Sequence, residues 1–141
     1  MINKKEEKKL NNNLKICVSS TGEDLNANVD PRFGRCEYFL IIDPKDMKFE
    51  PISNKSSKEM SGAGIQAAEN VAKTGANVVI TGNIGPNAFK TLKAADIKII
   101  TGASGNIKDI LDKFNRGELN EIDSPNVKSH SGMNYKGGRN R

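Results

Sequence analysis

The chain has no run of about 18 apolar residues, the length needed to cross a bilayer, so no membrane-spanning helix is expected. It has no CxxC pair, no HExxH and no GxSxG, and no glycine-rich turn in it ends in Gly-Lys-Ser/Thr as a Walker A loop would. The single histidine, His130, lies near the carboxyl end and leaves none in the folded region to act as a general base. Only two cysteines occur, Cys17 and Cys36, and the charged N-terminus has no apolar stretch behind it. Free thiols in a reducing, cytoplasmic setting are therefore the expectation. These gaps remove most routes to catalysis, and a binding protein is the reading that remains.

What is present fits one small domain. The 141 residues are 35% hydrophobic with a mean hydropathy of -0.58, low enough that part of the chain should lie outside the core. Lys4, Lys5, Lys8 and Lys9 against Glu6 and Glu7 at one end, and Lys128, Lys136, Arg139 and Arg141 against Asp123 at the other, account for the whole formal charge of +5. Residues 1–13 and 123–141 are thus predicted to be flexible basic segments around a neutral domain over 14–122. A basic character confined to the ends is not the folded basic stripe that nucleic acid would need.

Within 14–122 the periodicity predicts an α/β fold. Leu14, Ile16 and Val18 alternate in a first strand, and Tyr38–Ile42 reads as a second. After the Asp43–Asp46 turn, Met47–Ile52 reads as a third, with Pro51 marking an edge. Ser61 is placed as the cap of a helix burying Ile65, Ala68 and Ala72 and stopped by Gly75. A fourth strand over 76–81, a helix opened by Pro86 with Phe89 and Leu92 inside, and a fifth strand over 97–101 follow. Ser104 is placed as the cap of a last helix, whose Ile107, Ile110, Leu111 and Phe114 form a helical stripe ending at Gly117. The order is β-β-β-α-β-α-β-α, giving a five-stranded mixed sheet with the first, fourth and fifth strands parallel.

Ligands in such sheets sit beyond the carboxyl ends of the parallel strands. Ser19–Gly22, Thr81–Pro86 and Thr101–Gly105 reach that edge, as does Asp30–Cys36 if the second strand runs antiparallel. Gly82, Asn83 and Gly85, and likewise Gly102, Ser104 and Gly105, either form tight turns or offer amides to an anion. Arg32 and Arg35, flanking Phe33 and Gly34, are either solvated charges paired with Asp30 and Glu37 or anion ligands. Cys17 reads as a buried core thiol. Cys36 is either inert or a thiolate ligand favoured by the two arginines. His130 and Met133 are either incidental or soft metal ligands. The first and fourth strands carry no carboxylate, so no metal-dependent nuclease activity is expected.

Three segments carry a specific resemblance: Asn28–Phe39 (NVDPRFGRCEYF), Gly62–Ala68 (GAGIQAA) and Gly82–Phe89 (GNIGPNAF). Together they resemble, over about Leu14 to Leu119, the dinitrogenase iron–molybdenum cofactor biosynthesis family, in particular its small stand-alone members. The resemblance implies a ribonuclease-H-like fold and a non-enzymatic role in carrying or donating an iron–sulfur or iron–molybdenum-type cluster, with cluster-assembly proteins as partners. On that reading Arg32, Arg35 and the amides of Gly82–Gly85 and Gly102–Gly105 would hold an anionic cluster, with Cys36 as first ligand and His130 and Met133 closing over it. Nitrogenase-linked members often carry histidine where this chain has Arg32. The segment Ser124–Met133 is similar to tails of stand-alone members. A small-anion or nucleotide-binding regulatory module, or a protein–protein adaptor, would use the same edge without metal.

Overall fold

The computed structural model describes residues 14–126; the basic end segments 1–13 and 127–141, with His130 and Met133, lie outside the described residues. Strands β1 (Ile16–Ser20), β2 (Tyr38–Ile42), β3 (Phe49–Ser53), β4 (Val78–Ile80) and β5 (Lys98–Ile100) form one sheet in the order β3-β2-β1-β4-β5. β1, β4 and β5 are parallel, and β2 and β3 return antiparallel beside β1. Helices α1 (Ala63–Ala72), α2 (Pro86–Ala94) and α3 (Ile107–Asn115) complete the α/β fold, with a short 3-10 turn over Phe33–Arg35 that the periodicity does not reveal. Among the described residues no helix is long and apolar enough to cross a membrane.

Alternation along the strands separates two cores. Cys17, Phe39, Ile41, Val79 and Ile99 face α1 and α2, meeting Ala67, Val71, Phe89 and Leu92. Ile16, Val18, Leu40, Ile42, Val78 and Ile80 face the other way, under Ile107, Ile110 and Leu111 of α3 and under Leu25 and Val29 of the loop after β1. Side chains of successive residues point to opposite faces, so β1 and β4 are apolar on both sides because both sides are covered. Pro51 sits on β3, an edge of the sheet, where its missing amide costs no ladder bond.

Three local expectations need correction. α1 begins at Gly62, in the left-handed region at φ 76°, with no side-chain cap, so Ser61 does not cap it. α1 buries Ala63, Ala67, Ala68 and Val71 and leaves Ile65 and Ala72 half-buried. Its smallest face is turned inward, because a Cβ on Gly34 would stand only 3.0 Å from the Gly64 Cα, an approach that larger side chains would block. The cap of α3 is Asn106, whose side chain accepts from the amides of Lys108 (2.9 Å) and Asp109 (3.4 Å). Ser104 stands too far back to reach those second- and third-position amides, and Gly105, at φ +87°, turns the chain between them.

Candidate functional site

The carboxyl ends of β1, β4 and β5 gather the loops that matter. β1 ends in Ser19 and Ser20, both fully buried, and β4 runs into buried Thr81. Ser19 Oγ and Thr81 Oγ1 are 2.7 Å apart across the parallel pair, and Ser19 Oγ donates to the Asp30 carbonyl at 2.7 Å. With the Asp30 amide donating back to the Ser19 carbonyl at 2.9 Å, the loop before β2 is pinned onto the end of β1.

From Asp30 onward the backbone is held on every side. The Asp30 carboxylate is buried and accepts from the Arg32 amide at 2.9 Å, with Arg32 Nε 3.5 Å from the same oxygen. The Asn83 amide donates to the Pro31 carbonyl at 2.7 Å, and the Phe33 amide to the Asn83 carbonyl at 3.3 Å, so Arg32 lies in a parallel bridge with Asn83. This crossing is why position 82 is glycine: a Cβ there would lie 2.6 Å from the Pro31 Cα. The Arg32 side chain nevertheless stays 66% exposed, a fixed backbone carrying a guanidinium that Asp30 holds from one side and solvent reaches from the other.

Phe33 is buried and stacks obliquely on Phe39, ring centroids 5.1 Å apart, so it serves the core. Arg35 donates from Nη1 to the carbonyls of Ser57 (2.9 Å) and Glu59. It thereby ties down the loop that leads to α1.

Of the two readings left open for Cys36, the geometry favours the inert one. Its side chain is fully buried, and its Sγ sits 3.4 Å from the Phe33 carbonyl as a donor. Burial pushes the thiol up to about 12, and the Asp30 carboxylate adds to the rise. Hydrogen bonds from the Ser20 backbone and from Asn54 oppose the shift only partly. The two arginines would favour a thiolate, but Arg32 pairs with Asp30 and Arg35 reaches backbone carbonyls, while the charge acting on the thiol is the Asp30 carboxylate. At neutral pH Cys36 is a protonated core thiol. Cys17 is buried as expected, raised first by burial and then by Cys36.

The turn amides are largely committed too. Besides Asn83, the amides of Gly102 and Ala103 donate to the carbonyls of Gly82 (2.9 Å) and Thr81 (3.3 Å). Gly85 caps α2 at φ -86°, ahead of Pro86, with no side-chain partner. Gly102 and Gly105 have open space around the Cβ positions they lack, and Ser104 between them is exposed.

The sequence model of the family described as dinitrogenase iron-molybdenum cofactor matches residues 14–117. The chain belongs to that family. An uncharacterized protein of Methanocaldococcus jannaschii is 31% identical over 101 residues, 70% of this chain and 86% of that protein. The apo form of the orange protein from Desulfovibrio gigas is similar in structure, with a TM-score of 0.77 and 38% identity over 79% of this chain and 95% of that one. A Thermotoga protein proposed to be a NifB protein has a TM-score of 0.67 and 33% identity over 77% and 92% of the two chains.

In this family member the three motif segments touch one another: Gly34 meets Gly64, and Arg32 bridges Asn83. Two participants escaped the sequence reading. Asn54 is buried and donates from Nδ2 to the carbonyls of Cys36 (2.8 Å) and Gly34 (3.2 Å), while its Oδ1 accepts from Ser56 Oγ (2.8 Å). Asn126 reaches the turn after β4, with Oδ1 accepting from the Ile84 amide at 2.8 Å. Both lie in polar runs that read as solvated loop, and only tertiary contact distinguishes them.

Proposed function

We propose that this protein is a non-catalytic, cytoplasmic carrier or assembly accessory for an anionic iron–sulfur-based metallocluster or its precursor, on a ribonuclease-H-like frame. Family membership supports the cofactor theme, and the solved orange protein is described as an apo form. The observation that carries the reading is Arg32: its backbone is locked against the turn after β4, and its guanidinium, paired through Nε with buried Asp30, stays exposed to solvent.

The donor set limits how such a cargo is held. Among the described residues no group of three or more His, Cys, Asp or Glu could hold a metal ion, and Cys36 is buried and protonated. A cluster ligated by protein thiolates, which usually takes four, does not fit these residues. A cluster that brings its own sulfides and is held by Arg32 and the exposed turn around Ser104 does, with cluster-assembly proteins supplying and receiving it. The same shortage of ligands favours a second reading, a small-anion or nucleotide-binding regulatory module.

Anaerobic reconstitution with ferrous iron and sulfide, followed by metal analysis and visible absorbance, tests the proposal. The parent protein should take up iron and sulfide, and Arg32→Ala should weaken loading about 10- to 100-fold, the worth of one charge-assisted contact. A parent that stays colourless and retains a phosphate compound instead would favour the anion module. Equal loading by Arg32→Ala would move the cargo away from this edge.

A further inference from the structure

Past α3 the chain doubles back on the sheet. Glu121 bridges Ile100 in an antiparallel sense, and the Ile122 amide donates to the Ile99 carbonyl at 2.8 Å, covering the outer edge of β5. Lys93 Nζ lies 3.5 Å from the Glu121 carboxylate, and the Ile122 side chain packs on the core beneath α1 and α2. These anchors deliver Asn126 to the turn after β4.

There the carboxamide finds a complement for each of its groups. Oδ1 accepts from the Ile84 amide at 2.8 Å, while Nδ2 donates to Asn83 Oδ1 at 3.1 Å and to the Gly82 carbonyl at 3.4 Å. One donor facing two acceptors suits a primary carboxamide, whereas an anion at this spot would meet the two acceptor oxygens. The turn becomes receptive to an anion only if Asn126 leaves and the exposed Asn83 carboxamide turns to present its NH2, the Gly82 carbonyl being already engaged by the Gly102 amide at 2.9 Å.

We infer that residues 121–126 form an autoinhibitory strap, in which Asn126 fills the β4–α2 turn as a self-ligand that anionic cargo must displace. The inference rests on the carrier reading above. It gives the edge a closed state with the Ile84 amide satisfied internally, and an open state whose amide serves the cargo.

The test uses the full chain and Asn126→Ala. Without cargo, hydrogen exchange at the Ile84 amide should be slow in the parent and faster in the variant. In anaerobic titration with ferrous iron and sulfide, Asn126→Ala should load at about fivefold lower concentration, the worth of one net hydrogen bond. On loading the parent, the Asn126 carboxamide resonances should shift. A parent that loads normally with an identical variant overturns the strap and leaves the carrier reading intact. Poorer loading by the variant overturns it as well, making Asn126 part of the cradle. No iron in either protein removes the carrier reading and the strap together.

Discussion

The burial of Cys36 makes stability depend on alkaline pH in a calculable way. In the fold the thiol is held up at about 12, chiefly by burial, against an ordinary value of 9.0. A group whose folded value is raised contributes fully below the unfolded value and loses its contribution as pH climbs towards the folded one. The window is therefore pH 9 to 12. At pH 10 the unfolded chain has released this proton and the folded chain has not, which costs the fold about 1.4 kcal/mol. Cys17 is raised in the same direction and adds to the loss. The assay is urea unfolding at pH 8 and pH 10 for the parent, Cys36→Ala and Cys17→Ala. Truncation lowers stability at both pH values by opening a cavity, but the difference between the two pH values isolates the thiol. Cys36→Ala should shrink the parent's alkaline loss by about 1.4 kcal/mol. A variant that keeps the whole loss would show that Cys36 ionises freely in the fold, and the exposed thiolate ligand would return as a candidate.

Gly82→Ala should destabilise by about 1–3 kcal/mol, because its Cβ would meet the Pro31 backbone at 2.6 Å and backbone cannot step aside cheaply. Thermal unfolding reads the loss, amide shifts at Arg32 and Phe33 should report the displaced loop, and an unchanged midpoint would refute the close approach. Asn54→Ala strands the buried Cys36 carbonyl, unties the half-buried Gly34 carbonyl and should cost about 1–3 kcal/mol in urea unfolding. A loss below about 1 kcal/mol would mean that water replaces the carboxamide there.

Period and punctuation carried the fold, and only the fold. The alternation in Leu14–Val18, the proline at position 86 and the stripe from Ile107 to Phe114 are local signals, and each corresponds to an element. Helix starts were less legible, since Ser61 and Ser104 compete with the neighbouring Gly62 and Asn106, and only backbone geometry decides between them. The site was legible as an edge, because strand ends follow from strand order. Its chemistry was not. Phe33-Gly34-Arg35-Cys36 reads as a loop in which Arg35 and Cys36 could each be ligand or bystander, yet the 3-10 turn and its cap bury Phe33 and Cys36 and commit Arg35 to backbone carbonyls. Burial of a loop residue depends on what lies across from it, here Asn54 and Gly64, and neither partner is visible at sequence distances of 18 and more.

The charge pattern at the edge narrows how a cargo would be recognised. Asp30 lies buried directly behind Arg32, so the guanidinium and carboxylate form a close pair whose field falls off quickly with distance. Arg35 spends its donors on backbone carbonyls, and the domain over 14–122 is formally neutral. Long-range attraction of an anion is therefore weak here, and the basic ends are the parts of the chain that supply it. What the edge offers is direction: guanidinium donors that Asp30 holds in place and amides on turns fixed by backbone contact. Recognition of this kind selects the shape and acceptor geometry of a cargo more than its total charge. It also explains why so much of the motif sequence serves backbone packing. With few ligating side chains among the described residues, placement of such a cargo would come from the main chain, and the close approaches at Gly34 and Gly82 set that main chain.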